Sequence, residues 1–175
     1  MTTAMLLILV AAIAGLAFYV TRQPDVFRVT RSAVINAPAD AIFPWMNNPR
    51  RAAEWSPFVR NDPDAAYTYE GPESGVGAIT TWDGKKSGAG KLTITDQTVN
   101  ERVTMRLEFY RPMKCVNTVD YILTAVDGGT DVSWTMYGPN NIMGKLMGLF
   151  MNCEKMCGDQ FIIGLNNLKQ KVEGA

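Results

Sequence analysis

Few residues in this sequence of 175 could do acid–base or nucleophilic chemistry, and histidine is absent. Its absence excludes Ser-His-Asp and Cys-His catalysis, imidazole-ligated zinc or iron, and proton shuttling by imidazole. Tyr121 and Glu154 remain as weak candidates for a general acid or base. Glu154 would need burial to raise its pKa into a useful range, and a solvated helix charge is the simpler interpretation. With no partner base, nucleophile or metal, we assign no catalytic residue and find little support for an enzyme.

Three further acids, Glu54, Asp83 and Glu108, occupy positions where a functional carboxylate is conceivable. Alternation along its segment turns Glu108 away from the apolar side, so this carboxylate is expected to be solvated. A glycine pair, Gly75-Val76-Gly77, suggests a phosphate-binding loop but departs from the GxGxxG pattern and precedes a strand-like segment. We interpret it as a turn.

The three cysteines, Cys115, Cys153 and Cys157, are an odd number without a CxxC pair, which favours free thiols and a reducing compartment. Cys153 and Cys157 are four residues apart and, with Glu154 between them, lack a suitably spaced fourth metal ligand. We therefore predict buried structural thiols, with no metal and no cofactor. Acidic and basic residues balance at 17 each, and without a basic cluster no nucleic-acid partner is expected.

The segment from Ala4 to Val20 carries no charge and, as a helix, would measure about 25 Å, close to the ~30 Å of a bilayer core. A cleaved signal peptide is the alternative, but the basic region that normally opens one is missing. We favour an uncleaved, single-pass membrane anchor. Arg22, Arg28 and Arg31 follow it and no basic residue precedes it, which places the soluble domain on the cytoplasmic side by the positive-inside rule. The predicted organisation is an anchor over residues 1–22, a short linker over 23–25 and a domain over 26–173.

The domain begins with an alternating strand, Phe27–Ile35, in which Arg31 occupies the apolar register as an unexplained exception. Pro38 predicts the start of a short helix, a second short helix covers Arg50–Glu54, and Trp55–Phe58 is predicted as a compact aromatic turn. Six more strands are predicted, separated by turn sequences short enough for antiparallel hairpins: Ala66–Glu70, Gly77–Trp82, Gly90–Gln97, Arg102–Tyr110, Lys114–Val126 and Asp131–Tyr137.

The last stretch, Ile142–Val172, has apolar residues at steps of three and four and is predicted as one long helix. The strands carry apolar residues on one face and polar residues on the other, and a one-sided apolar sheet needs a cover. The helix is the only long amphipathic element left to supply it. Its glycines allow either close approach to the sheet or to a ligand, or a break near Gly144–Gly148.

In order and spacing, several short motifs resemble those of the SRPBCC superfamily, which has the START-like helix-grip fold, and in particular its polyketide cyclase/dehydrase-type branch. These motifs are Ile35-Asn36-Ala37-Pro38, Trp55-Ser56-Pro57, Gly75-Val76-Gly77-Ala78, Trp82-Asp83-Gly84, Gly88-Ala89-Gly90 and Phe161-Ile162-Ile163-Gly164. The resemblance covers about residues 26–173. It implies an α+β helix-grip fold, in which a seven-stranded antiparallel sheet wraps around a long C-terminal helix, with two short helices between the first two strands.

The resemblance also implies a hydrophobic cavity that binds lipids, sterols, polyketides or similar molecules, without implying catalysis. We expect the cavity to be lined from the sheet by Trp82, Leu92, Ile94, Met105, Leu107, Phe109, Tyr121, Leu123, Trp134 and Met136, and from the helix by Leu146, Phe150, Cys153, Cys157 and Phe161. The first hypothesis is a membrane-tethered protein that binds a hydrophobic small molecule or lipid. The alternatives are a cyclase- or dehydratase-like enzyme that uses the same cavity, and an accessory module with a filled interior.

The run Ile142–Met151 is apolar on nearly all sides, more than one sheet-facing stripe requires. We therefore expect this part of the helical region to form a mouth that touches the bilayer, with Met147 and Phe150 among its contacts.

Overall fold

A computed structural model describes residues 2–150 and 153–174, and the side chains within these ranges except those of residues 2, 143, 147, 149, 150 and 153. Its strands are β1 (Val26–Ile35), β2 (Ala66–Glu70), β3 (Ile79–Asp83), β4 (Ala89–Thr98), β5 (Arg102–Arg111), β6 (Cys115–Val126) and β7 (Gly129–Pro139). Its helices are α1 (Thr2–Arg22), α2 (Ala39–Ile42), α3 (Pro49–Trp55), α4 (Pro57–Asn61), α5 (Ile142–Phe150) and α6 (Cys153–Glu173), with a 3₁₀ turn at Phe43–Trp45.

The strands form one seven-stranded antiparallel sheet in the order β1-β7-β6-β5-β4-β3-β2. Every neighbouring pair except β1–β7 is also consecutive in sequence, because short turns favour hairpins. This confirms the predicted sheet, with strand ends moved by one or two residues. The near end of the sheet is defined here as the end where β1 begins and the β3–β4 and β5–β6 turns lie. The opposite end is the far end.

The concave face of the sheet carries the apolar residues that alternation predicts. One row across it runs through Val29, Met136, Val119, Met105 and Ile94, all buried. Helix α6 packs mainly against β1, with a smaller contact to β7, and α3 and α4 pack on α6. The core is therefore closed at the far end, where Ile35, Leu165 and Leu168 are almost completely buried.

One sequence prediction needs correction. The segment Trp55–Phe58 is not a turn: helix α4 begins at Pro57, whose fixed φ suits the first helical position. The predicted long helix is covered by α5 and α6, and residues 151–152 between them lie outside the described residues, so its continuity stays a prediction. Helix α5 is continuous through Gly144 and Gly148, so no break occurs there.

Helix α1 lies outside this core: its described side chains are exposed except that of Val20. From Thr3 to Arg22 the helix is long and apolar enough to cross a membrane. A core helix of a soluble protein would be buried instead.

Candidate functional site

The middle of the concave face is filled by a cluster of aromatic rings. Trp134 stacks on Phe161 at a centroid distance of 4.2 Å. It also meets Trp55 and Tyr121 edge-on at 5.5 and 5.3 Å. Trp55 is fully buried, and its indole N–H donates to the carbonyl of Trp45 at 2.8 Å. Burial and this hydrogen bond give Trp55 a structural role.

Two polar groups of this cluster have unusual surroundings. Burial raises the pKa of the Tyr121 hydroxyl far above its ordinary value, so Tyr121 stays protonated at neutral pH and cannot act as a base. The indole N–H of Trp134 is buried, and no described residue accepts a hydrogen bond from it. A buried donor without a partner is unfavourable by about 1–3 kcal/mol, so this N–H is a place where a ligand oxygen would be stabilised.

The near half of the concave face is covered less completely. Leu92 and Leu107 are partners across β4 and β5 and are only half-buried. One row closer to the near end, the rings of Trp82 and Phe109 meet edge-on with a centroid distance of 5.5 Å. Gly90 lies beneath the indole, and a β-carbon at this position would collide with it. These four side chains form a partly open apolar surface.

The predicted lining leaves out three partly buried residues on this near half, although alternation places them on the concave face. Phe27 and Asn117 lie in the same row as Leu107, and Tyr67 lies opposite Trp82 on β2. Burial, with a smaller contribution from the charge of Asp62, raises the pKa of the Tyr67 hydroxyl. Phe27 would add apolar surface for a ligand, whereas Asn117 and Tyr67 would offer it polar groups.

The structure divides the predicted lining residues into three groups. Buried in the core are Ile94, Met105, Tyr121, Leu123, Trp134, Met136 and Phe161. Half-buried are Trp82, Leu92, Leu107, Phe109, Leu146 and Cys157. The side chains of Phe150 and Cys153 lie outside the described residues, as does that of Met147, so the predicted mouth stays a prediction.

The four candidate acids are ion-paired, and Glu154 is not a cavity acid. Its carboxylate lies 2.8 Å from the guanidinium of Arg31 and is half exposed. Glu54 pairs with Lys171, Asp83 with Arg111, and Glu108 with both Lys91 and Arg106. Hydrogen bonding from Arg106, with help from Lys91, lowers the pKa of the Glu108 carboxyl, which lies on the convex face as predicted.

Arg31, which the sequence could not place, lies on the concave face next to Trp134 on β7. Its guanidinium occupies the space above Gly158 of α6, where a β-carbon would collide with it. Arg31 is accommodated in this apolar register because its guanidinium packs on Gly158 and pairs with Glu154.

Cys115 is exposed and Cys157 is partly buried, whereas the side chain of Cys153 lies outside the described residues. No group of three or more cysteine, aspartate or glutamate side chains in residues 2–150 and 153–174 is arranged to hold a metal ion. The segment around Gly75 and Gly77 forms the β2–β3 turn, with both glycines at positive φ. The turn interpretation is thus confirmed.

Two surface cavities lie away from the near half of the concave face. The larger, of 590 Å³, is at the far end and is lined by Ala39, Thr98, Asn100, Glu101, Arg102, Ile122, Leu123, Thr124 and Ala125. The smaller, of 210 Å³, is lined by Pro49, Arg50, Tyr69, Glu70, Gly71, Pro72, Glu73 and Ile79. Of the residues that line these two cavities, only Leu123 belongs to the ligand-binding lining predicted from the sequence.

Solved structures share this fold at low sequence identity. Protein CV1439 from Chromobacterium violaceum is 18% identical with a TM-score of 0.60, over 86% of this chain and 99% of that one. Protein MLL2253 from Mesorhizobium loti is 11% identical with a TM-score of 0.64, over 85% and 98%. DynU16, a putative protein in the dynemicin biosynthetic locus, is 17% identical with a TM-score of 0.58, over 86% of this chain and 48% of that one.

No curated protein matches this sequence. Residues 26–173 match the family described as polyketide cyclase/dehydrase and lipid transport, and this match spans the whole sheet and all of α6. The order of strands and helices and the one-sided apolar sheet agree with that match. The chain therefore belongs to the polyketide cyclase/dehydrase and lipid transport family.

Proposed function

We propose that the domain binds a hydrophobic small molecule or lipid against the near half of the concave sheet face, while α1 anchors it in a membrane. The observation that carries this proposal is the incomplete cover of an apolar surface. Helix α6 packs mainly on β1, whereas Trp82, Leu92, Leu107 and Phe109 on β3–β5 remain half-buried. Removing such surface from water is favourable by roughly 25 cal/mol per Å², and this free energy would favour an apolar ligand on it.

The polar groups beside this surface support a ligand with at least one oxygen atom. Asn117 lies in the same row as Leu107, Tyr67 lies opposite Trp82, and both side chains are partly buried. The indole N–H of Trp134, a buried donor without a partner among the described residues, lies deeper on the concave face, beyond the buried row through Met105. A few such groups orient an otherwise apolar ligand. An apolar chain that carries a carbonyl oxygen would fit both requirements.

The anchor part of the proposal rests on α1, which is apolar and almost entirely exposed. An exposed apolar helix of this length is unfavourable in water and favourable in a bilayer. A cytoplasmic position of the domain rests on Arg22 alone, because Arg28 and Arg31 belong to the folded strand β1.

A photo-crosslinking experiment in the producing cell tests ligand binding in the full chain. The photoreactive residue p-benzoylphenylalanine replaces Leu107 on the concave face or, as the control, Ile122, which is exposed on the convex face. After irradiation, purification and intact-mass measurement, we expect an apolar adduct at position 107 and none at 122. Position 92 serves as a second concave site if the first substitution prevents folding.

An absence of adducts at both concave sites, or the same adduct at position 122, would contradict the proposal. The mass of a specific adduct would identify the ligand class. It would also show whether a polyketide-type molecule, as the family description suggests, or a membrane lipid occupies the site.

A further inference from the structure

The linker between α1 and the sheet is held in place by several contacts. The backbone N–H of Asn140 donates to the carbonyl of Asp25 at 2.8 Å, and its side chain donates to the carbonyl of Pro24 at 3.0 Å. The Asp25 carboxylate pairs with the ammonium of Lys145 in α5 at 2.6 Å. The side chain of Lys145 is only 8% exposed, so it contributes little to the charge of the surface. The end of α1 is thus fixed at the near end of the sheet.

The hairpin turns at the two ends of the sheet differ in charge although the whole chain is neutral. At the near end, the hairpin turns 84–88 and 112–114 contain Lys85, Lys86 and Lys114 and no acid. At the far end, the hairpin turns 71–78, 99–101 and 127–128 contain acids and no lysine or arginine: Glu73, Glu101 and Asp127. The six side chains are all exposed. Outside these turns the near end also carries the exposed carboxylates of Asp25, Asp64 and Asp83, of which Asp25 pairs with Lys145 and Asp83 with Arg111. The basic turns therefore lie at the end from which α1 leaves the domain.

Large apolar side chains are also exposed at the near end. Met113 lies between Pro112 and Lys114 at the tip of the β5–β6 turn and is 42% exposed. Tyr110 precedes this turn and Ile142 begins α5, and both are exposed. Apolar and aromatic side chains next to lysines are typical of surfaces that lie at a membrane interface.

We propose that the β3–β4 and β5–β6 turns form a second membrane contact, which docks the near end of the sheet onto anionic lipid headgroups. This inference rests on the proposed role of α1 as an anchor, which brings the turns close to a bilayer. Lysines at an anionic leaflet are attracted over about one Debye length, roughly 8 Å at physiological salt, so the short pinned linker is essential to the contact.

Docking in this orientation also has a consequence for the ligand. The half-buried residues Trp82 and Phe109 lie in the row next to the basic turns, and Leu92 and Leu107 lie in the row behind it. The partly open apolar surface would then face the lipid. A ligand could move between the bilayer and the concave face without crossing bulk water.

The test places an environment-sensitive fluorophore at either end of the full chain, reconstituted in nanodiscs. Met113→Cys and the control Val76→Cys, which is 54% exposed in the far-end β2–β3 turn, are labelled with nitrobenzoxadiazole in a background with Cys115, Cys153 and Cys157 replaced by serine. The lipid is phosphatidylcholine alone or mixed with phosphatidylglycerol. We expect a blue shift and stronger emission at position 113 in the anionic nanodiscs and no change at position 76.

Charge variants separate electrostatic docking from mere proximity. Replacing Lys85, Lys86 and Lys114 with glutamine should abolish the shift at position 113, as should high salt. Replacing Lys155, Lys169 and Lys171 of α6 with glutamine changes the net charge equally and should leave the shift intact. If the cysteine-free background does not fold, hydrogen exchange of wild-type residues 110–116 in the two nanodiscs provides the same comparison.

Equal emission at position 113 in both lipids, or an equal loss in both triple variants, would overturn the proposed contact. Recovery of the chain with the nanodiscs reports on the anchor, and crosslinking at Leu107 reports on ligand binding. A failed docking surface can thus be distinguished from a failed anchor or an unoccupied ligand site.

Discussion

Gly164 of α6 and Trp134 of β7 are in direct contact where the helix crosses the sheet. A β-carbon on Gly164 would lie 2.6 Å from Cζ3 of the indole and 3.1 Å from Cδ of Pro57. The indole cannot easily move away, because it stacks on Phe161 and meets Trp55 edge-on. The missing side chain at position 164 thus sets how closely α6 approaches the aromatic cluster.

Gly164→Ala is therefore expected to lower the free energy of unfolding by about 1–3 kcal/mol, the usual effect of overpacking a rigid core. In an unobstructed helix interior the same change stabilises by roughly 0.5–1 kcal/mol. Gly148→Ala provides that control, because its nearest neighbour is Oε1 of Gln23 at 4.0 Å. Urea unfolding of the full chain in mild detergent, followed by circular dichroism, should show changes in the free energy of unfolding that have opposite signs in the two variants. Equal effects would mean that the contact with Trp134 is unimportant.

The ion pair between Arg31 and Glu154 should contribute little to stability by itself. Its side chains are 28% and 53% exposed, and pairs of this kind are worth about 0.2–1 kcal/mol. Gly158→Ala should be more disruptive, because its β-carbon would displace the guanidinium. Its effect should become smaller in an Arg31→Ala background. A double-mutant cycle of the two substitutions measures this coupling, and strictly additive effects would contradict the proposed contact.

Substitution by phenylalanine should have different effects on stability at Trp55 and at Trp45. Trp55→Phe removes the buried donor to the carbonyl of Trp45, at a cost of about 1–3 kcal/mol in the free energy of unfolding before any cavity is counted. Trp45→Phe reduces partly exposed contacts with Arg51 and Lys171, which are worth about 0.5–1 kcal/mol each. Thermal unfolding of the two variants provides the comparison. A larger effect at position 45 would mean that Trp55 is not central to the core.

The sheet could be predicted because strand alternation is a local property. Met105 and Val119 reach the concave face, and Glu108 the convex face, from their positions in sequence alone. Helix α4 was missed although Ser56-Pro57 is a recognisable helix start, because the aromatic residues around it were interpreted as a turn.

The open half of the site could not be predicted in the same way. Periodicity shows that α6 has an apolar face but not how far that face extends across the sheet. Arg31 breaks the alternation of β1, and the reason lies in Gly158, distant in sequence. The contacts of Asp25 with α5 likewise depend on the assembled topology, as does the difference in charge between the near-end and far-end turns.

Asp62 connects the segment after α4 to the β3–β4 turn and should make stability depend on pH. One oxygen of its carboxylate accepts hydrogen bonds at 2.9 Å from the backbone N–H and hydroxyl of Ser87 and from the backbone N–H of Lys86. Hydrogen bonding from Ser87, with a smaller contribution from Lys86, lowers the pKa of this carboxyl below its ordinary value. The ionised form is therefore the one that the native state prefers.

The unfolded chain binds a proton at this carboxyl near pH 4, whereas the folded chain binds it only at lower pH. The contribution of Asp62 to stability is thus complete above about pH 4 and is lost as the pH falls through the lowered pKa. Asp62→Asn should flatten the acid limb of a plot of unfolding free energy against pH, measured by urea titration in steps of pH. Asp64→Asn, at a nearby exposed carboxylate, should leave that limb unchanged. An acid limb that keeps its slope in Asp62→Asn would show that other carboxylates determine acid stability.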